Sequence, residues 1–273
     1  MKTWLITGSS KGFGRIWAEA ALERGDRVVA TARDVKTIEP LGKKFGERAL
    51  CLPLDVTDRN AVFDAVNVSL ERFGGLDVVV NNAGFGLFGM IEETTEAEAR
   101  RQMETNFFGA LWVTQAVLPG LRAKRSGHIL QVSSIGGVHA FPALGLYHAS
   151  KWALEGFSQS LQAEVKDFGV HVTLIEPTGY ATDWSGASAV RASPMKEYDA
   201  VREARARARA AAFGKPGQPE ATARVVLELV DMSAPPLRLF LGDGPLEWIK
   251  TEYASRIAVW EKYAHLSHEA HGG

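Results

Sequence analysis

Residues 6–15, Ile-Thr-Gly-Ser-Ser-Lys-Gly-Phe-Gly-Arg (ITGSSKGFGR), close the first apolar run of the chain, Thr3 to Thr7, and lead into its first amphipathic stretch, Arg15 to Arg24. A strand that runs through glycines into a helix is a geometry with a purpose. Gly8, Gly12 and Gly14 stand where the backbone must turn tightly, and glycine tolerates positive φ and lets another group approach the main chain. The helix that follows presents free amides and the positive end of its dipole, so the turn is suited to an anion such as a pyrophosphate. Ser10, Lys11 and Phe13 fill the positions between the glycines and would flank that anion. A glycine trio alone is a weak signal; its place at the first strand-to-helix junction makes it informative.

Working outward, the chain alternates short apolar runs with amphipathic stretches as far as Pro177. Strands are expected at Thr3 to Thr7, Arg27 to Ala32, Ala49 to Leu54, Leu76 to Val80, His128 to Val132, Val170 to Ile175 and Leu237 to Leu241. Helical periodicity fills the intervals, at Arg15 to Arg24, Arg59 to Phe73, a long stretch ending near Arg122, and Tyr147 to Phe168. This alternation predicts an α/β fold, a Rossmann-like doubly wound parallel sheet of about seven strands with helices on both faces. One domain over residues 1–273 accounts for it. Residues 178–219 break the rhythm, and an excursion after the carboxyl end of a strand commonly covers a ligand. Within it, VREARARARAAA reads as a solvated helix rather than a phosphate site. Residues 245–273 form a C-terminal helix and tail. Leu246, Ile249, Tyr253, Ile257 and Trp260 share one helical stripe, expected to pack on the body or on a neighbouring subunit. His265, His268 and His271 have helical metal spacing, but a frayed tail would not fix the imidazoles, so no metal is expected.

Composition narrows the function. Lysine plus arginine number 31 against 32 aspartate plus glutamate, a balance that neither gathers nucleic acid nor holds an anionic membrane surface. No stretch approaches the roughly 20 apolar residues of a membrane span, and the N-terminal apolar run is too short for a secretory signal. The single cysteine, Cys51, cannot form an internal disulfide and sits in the apolar ALCLPLDV, which fits strand packing in a reducing, cytoplasmic compartment.

Dinucleotide preference is set near the end of the second strand, where a carboxylate would bind a ribose 2′-hydroxyl. Here the sequence is VVATARD: Ala32 offers no carboxylate, Arg33 follows it, and Lys11 lies in the glycine turn. Two cations able to pair with a 2′-phosphate predict NADP(H) in preference to NAD(H), with Asp34 as the competing feature and NAD(H) still an acceptable cofactor.

Tyr147 and Lys151 lie one helical turn apart on one face of a helix. A phenol with an unperturbed pKa of about 10 is a poor base at neutral pH, so a neighbouring ammonium is expected to favour its phenolate form. Such a pair would pass a proton to or from a substrate oxygen.

The glycine turn together with NNAG at 81–84, the serines at 133 and 134, and YHASK at 147–151 resembles the short-chain dehydrogenase/reductase family over nearly the whole chain. The resemblance implies a hydride-transferring enzyme with Tyr147 as general acid/base and Lys151 also holding the nicotinamide ribose. It selects Ser134 over Ser133 as the carbonyl-orienting hydroxyl, a donor that would act electrostatically on a developing alkoxide. It assigns Asn106, in METNFFG, to a water-linked proton path to the lysine. Asp55 would meet the adenine amino group, with Val56 supplying backbone contact. Asn81, Ala83 and Gly84 would lie beside the cofactor while supporting the sheet. Pro177, Gly179 and Thr182 match the nicotinamide-side loop. One departure is Thr178, where the family carries glycine; its bulk is expected to narrow the space beside the nicotinamide or shift the loop.

Phe85, Phe88, Phe141, Tyr180 and Trp184 flank this centre, with few fixed charges beside them, so an apolar or aromatic carbonyl is the expected substrate. The small residues Ala149, Ala153, Gly156 and Ser160 on the Tyr147 helix permit close helix approach, either inside the monomer or in a homodimer or homotetramer. A sugar-nucleotide epimerase or dehydratase is disfavoured because only about a hundred residues follow Lys151. A catalytically silent NADP(H) sensor is disfavoured by the full catalytic group.

Overall fold

Every expected strand forms. The computed structural model describes residues 1–212 and 215–272. In chain order the elements are β1 (Thr3–Ile6), α1 (Gly12–Glu23), β2 (Arg27–Ala32), α2 (Glu39–Phe45), β3 (Ala49–Pro53), α3 (Arg59–Phe73), β4 (Val78–Asn81), β5 (Leu87–Phe88), α4 (Glu96–Met103) and α5 (Gly109–Lys124). There follow β6 (Gly127–Val132), α6 (Gly145–Val165), β7 (Val170–Pro177), β8 (Val190–Arg191), α7 (Asp199–Ala212), α8 (Ala221–Leu229), β9 (Arg238–Leu241), α9 (Pro245–Lys262) and α10 (Ala264–Ala270).

Seven strands pair in the order β3-β2-β1-β4-β6-β7-β9, every neighbouring pair parallel. Because successive side chains leave a strand on opposite faces, each strand feeds two cores. Trp4 and Ile6 join Val28, Ala30, Val78, Val80 and Leu130 under Trp17, Leu22, Leu41, Val226 and Leu229, from α1, α2 and α8. Leu5, Val29, Val79, Ile129 and Val172 face the other way, onto Val62, Val66, Val113, Val117 and Leu161 of α3, α5 and α6. The order reverses between β1 and β4, and the crevice at their carboxyl ends is where open α/β sheets bind ligands.

Three local differences from the sequence reading affect the site. The first helix begins at Gly12 rather than Arg15, so the glycine turn itself forms the helix entrance. The long helix ending near Lys124 is interrupted by a π turn over Glu104–Phe108, which contains Asn106; such turns are frequent at functional sites. The stripe on α9 packs only at its start. Ile249 is buried with Ile135 and Val138, whereas Leu246, Tyr253, Ile257 and Trp260 are exposed. The tail beyond it folds as α10, and its three histidine positions are all exposed.

The excursion after β7 is tied at its neck and its middle. Ala181 N donates to Gly217 O, and Gly217 N donates to Gly179 O. Farther out, β8 pairs with β5 at Leu87 with Val190 and Phe88 with Arg191. Phe213 and Gly214 of this excursion lie outside the described residues. Among the described residues no helix is long and apolar enough to cross a membrane.

Candidate active site

At the reversal point lies a cleft of about 2230 Å³, larger than the roughly 300–1,000 Å³ of a single small-molecule pocket. Its floor begins at the glycine turn. Gly8 has φ +67° and Gly12 φ +58°, the left-handed region that favours glycine. Lys11 precedes α1 in extended conformation and makes no side-chain cap, so the first amides of the helix are left for an anion. Gly14 is set behind the cleft wall, where a Cβ would stand 2.4 Å from Asn82 Nδ2 and 2.6 Å from Gly8 O. Ser10, Lys11, Gly12 and Phe13 all line the cleft.

Two residues missed in the sequence hold this turn. Thr7 Oγ1 accepts from both Asn82 N and Ala83 N at 3.0 Å. Asn82 Nδ2 donates to Thr7 O at 2.9 Å and Gly8 O at 3.0 Å. Asn81, by contrast, is turned out of the cleft into the sheet, donating to Gln131 Oε1, Thr114 Oγ1 and Ala110 O. Its supporting role stands, while the cleft side chain of the NNAG segment is Asn82. Ala83 and Gly84 line the cleft as expected.

At the end of β2, Arg33 is exposed on the cleft rim. The neighbouring Asp34 is exposed as well, and its Oδ1 caps the next turn by accepting from Lys36 N at 3.1 Å. Lys11 differs from expectation. Its ammonium pairs with Asp183 in the excursion, whose carboxylate also receives Ala187 N and Ser188 Oγ. Asp55 lies at the same rim with Oδ1 held by Thr57 N and Oγ1. Val56 is buried against Gly109, where a Cβ would come within 2.6 Å of Val56 Cγ2.

Three consecutive residues at the end of β6 organise the centre. Val132 O accepts from Lys151 Nζ at 2.7 Å. Ser133 faces Glu155 on the buried side. Ser134 lies in the cleft, its Oγ accepting from Gly136 N at 3.0 Å and hydrogen-bonded to the Tyr147 side chain. Tyr147 and Lys151 are both buried on α6, the ammonium 5.8 Å from the phenol ring centroid. Burial pushes Tyr147 up to about 12, with the Ser134 hydrogen bond pulling the other way. The lowering expected from Lys151 is not among the influences on the phenol, burial dominates, and Tyr147 holds its proton at neutral pH. Burial likewise lowers Lys151 to about 8, opposed by the charge of Glu155.

Asn106 is buried and committed to protein partners. Its Oδ1 accepts from Phe85 N, and its Nδ2 donates to Phe85 O and Ser150 Oγ, each within 3.1 Å. The amide thus pins the Phe85 loop against α6 beside Lys151.

Pro177, Gly179 and Thr182 line the cleft on the β7 side. Thr178 also lines the cleft; its hydroxyl donates to Leu241 O, and its side chain fits against Gly242, where a Cβ would stand 2.1 Å from Thr178 Oγ1. The glycine missing from one strand end is supplied by its neighbour.

The aromatic residues divide into two groups. Trp184 packs on Tyr147 at 5.0 Å and Phe88 at 5.2 Å between ring centroids, and Phe85 and Phe141 also line the cleft. Tyr180 instead meets Phe13 edge-on at 5.1 Å, on the flank of the glycine turn, away from the expected substrate wall. Sequence reading also missed Trp248, which enters from α9, and His148, lowered by burial to about 4 beside Phe141. The basic stretch on α7 is not wholly solvated. Arg202 pairs with Glu93 and Asp199, Arg205 lies over the Phe141 ring, and both line the cleft, so its outer wall carries more charge than expected.

A parallel sheet ending in an anion-receiving turn, beside Ser134 and the buried Tyr147 and Lys151, defines an NAD(P)-dependent oxidoreductase. The family model described as short chain dehydrogenase matches residues 2–191. Oxidoreductase BOA17 of Botryotinia fuckeliana (strain B05.10) is 42% identical over 268 residues, covering 97% of this chain and 98% of its own. A short-chain dehydrogenase structure from Streptomyces avermitilis superposes with a TM-score of 0.91 at 35% identity, covering 99% of this chain and 100% of that one. An alcohol dehydrogenase from the archaeon Thermococcus sibiricus, solved with 5-hydroxy-NADP, superposes with a TM-score of 0.74 at 28% identity, covering 88% of this chain and 96% of that one. The chain belongs to the short-chain dehydrogenase family, and it is an enzyme.

Proposed function

We propose that the protein is a cytoplasmic NADPH-dependent reductase of hydrophobic or aromatic ketones and aldehydes, reversible as an alcohol oxidation. The observation that carries this reading is the Ser134-Tyr147-Lys151 group, its tyrosine and lysine buried, opening on an aromatic wall of the same cleft that holds the glycine turn. The left-handed Gly8 and Gly12 and the uncapped entrance of α1 fit a dinucleotide pyrophosphate, with Ala83, Gly84, Pro177, Gly179 and Thr182 beside the nicotinamide half and Asp55 and Val56 beside the adenine. When bound, the reduced nicotinamide supplies the hydride. Ser134 orients the carbonyl oxygen. Tyr147, neutral at neutral pH, gives that oxygen its proton. Lys151, fixed by Val132 O, holds the ribose and places a positive charge beside the phenolate left behind. Asn106 keeps the Phe85 loop and α6 in register around that ammonium.

The NADPH preference rests first on Arg33, since Lys11 is engaged by Asp183. Arg33→Ala is expected to weaken NADPH binding on the order of tenfold or more, as for other charged hydrogen bonds, and to leave NADH binding unchanged. Fluorescence titration with both cofactors checks it; equal loss for the two would remove the assignment. The oligomeric reading is supported by α6, where Ala149, Gly156 and Ser160 are exposed next to Trp152.

The function itself is tested by following NADPH oxidation with aryl ketones, aliphatic ketones and small charged keto acids. Bulky aryl ketones are expected to turn over fastest. Faster turnover of the charged keto acids would discard the substrate class, and no turnover across a broad carbonyl panel would discard the activity.

A further inference from the structure

Behind Lys151 lies a second polar group that the proposed reaction does not use. Glu155, one helical turn farther along α6, is 5% exposed, and Glu176, the last residue of β7 before Pro177, is 0% exposed. Two buried carboxylates share one cation. Arg238 of β9 donates from Nε to Glu155 Oε2 at 3.0 Å, stands 3.5 Å from Glu176 Oε1, and uses Nη2 on Gln159. Both oxygens of Glu176 and Oε1 of Glu155 are buried without a regular hydrogen bond, and the Ser133 hydroxyl lies against Glu155. Three carboxylate oxygens left without a regular hydrogen bond in the interior are costly unless a proton is added to them.

The place of this group gives it a possible effect on the reaction centre. Ser133, which faces Glu155, lies between Val132, the acceptor for Lys151, and Ser134, the partner of Tyr147. Gly137, whose N donates to Ser134 O, closes over the pair so tightly that a Cβ would lie 2.5 Å from Ser133 Oγ and 3.0 Å from Glu155 Oε1. The charged groups facing the pair are Arg238 from β9 and Lys151 from α6 itself.

Resting on the reductase reading above, we propose that Glu155 and Glu176 share a single proton and serve as positioning residues, Glu176 holding the proton and Glu155 the negative charge that keeps Lys151 cationic. With one proton the two glutamates and Arg238 are neutral together; with none they leave a net negative charge in the interior, which burial opposes. The acidities agree. Burial raises both carboxyls: it pushes Glu176 up to about 8 with the neighbouring Glu155 charge adding to it, while for Glu155 the contacts with Ser133 and Arg238 work against the burial. Glu155 is the charge that raises Lys151 against its burial.

The sign of the effect follows. Lys151 must be protonated to support Tyr147, so the alkaline fall in kcat/KM for carbonyl reduction tracks its deprotonation. Glu155→Gln removes the nearest negative charge and is expected to move that fall about one pH unit lower, the scale of a single close charge. Glu176→Gln imitates the protonated side chain and is expected to move the fall less than Glu155→Gln does. The same proteins, with and without ¹³C-labelled glutamate, are examined by infrared spectroscopy at neutral pH. A protonated-carboxyl C=O band that shifts with the label is expected in the parent protein and absent from both variants. No such band in the parent, or equal displacement of the alkaline fall by the two variants, overturns the proposal. The infrared reading needs no substrate, so a parent protein inactive on every carbonyl but showing the band would overturn the reductase reading and leave the shared proton standing.

Discussion

Tyr147→Phe is expected to lower kcat for carbonyl reduction by about 10²- to 10⁴-fold, the range of a positioned general acid, while NADPH binding stays within a few-fold of the parent. The change removes one oxygen and nothing else. Tyr147 is buried on α6, with Trp184 on its ring and Ser134 on its hydroxyl, and the phenylalanine ring keeps the first contact while losing the second. Loss of one hydrogen bond costs roughly 0.5–1.5 kcal/mol, too little to unfold a domain of this size. The proton matters more. Burial holds Tyr147 near 12, so at pH 7 the group is a loaded donor, and the variant leaves nothing at that position to protonate the oxygen. Stopped-flow NADPH oxidation with a fluorescence titration of cofactor binding separates the two effects. Turnover within tenfold of the parent would show that the proton comes from elsewhere, and Ser134 would be the next group to test.

The order of the elements was plain in the sequence because parallel strands buried on both faces must be short and apolar, and here each stands clear of its amphipathic helix. Local chemistry was equally plain where a motif is contiguous. Gly8 and Gly12 adopt positive φ, and Tyr147 and Lys151 share a helix face. Errors fell where the side of a strand end decides. Asn81 and Asn82 are adjacent and chemically identical, yet one completes the sheet and the other ties the glycine turn, a distinction set by the pairing of β4 rather than by residue type. Thr178 was read without its counterpart Gly242, because the two meet only when β7 and β9 pair.

Contacts made by distant segments left no pattern to read. Lys11 meets Asp183 across 172 positions, and Arg238 joins Glu155 and Glu176 only in the folded sheet. The C-terminal stripe divides along α9: Trp248 and Ile249 are seated against the body, and Tyr253, Ile257 and Trp260 are exposed on this chain, the part of the stripe left for a neighbouring subunit. Periodicity reports which residues share a face, not how much of that face finds a partner.

Gly14→Ala is expected to lose about 1–3 kcal/mol of stability, the usual result of adding a methyl group to a filled site, and to weaken NADPH binding on the order of 10- to 100-fold. The added Cβ would lie 2.4 Å from Asn82 Nδ2 and 2.6 Å from Gly8 O. Neither neighbour can step aside without consequence. Asn82 moves only by releasing Thr7 O and Gly8 O, and Gly8 moves only by opening the turn whose amides face the anion. The strain therefore enters the cofactor site directly, so binding should fall along with stability. Gly120 of α5 supplies the contrast. It is exposed, and a Cβ there meets nothing within 4 Å, so Gly120→Ala should gain up to about 1 kcal/mol through helix propensity and leave cofactor binding unchanged. Chemical denaturation and titration with NADPH measure both quantities for both variants. If Gly14→Ala binds NADPH as the parent does, the close packing of Gly8, Gly14 and Asn82 is not what shapes the anion site. Loss of binding in Gly14→Ala alone would tie the mutual fit of those three residues to cofactor capture.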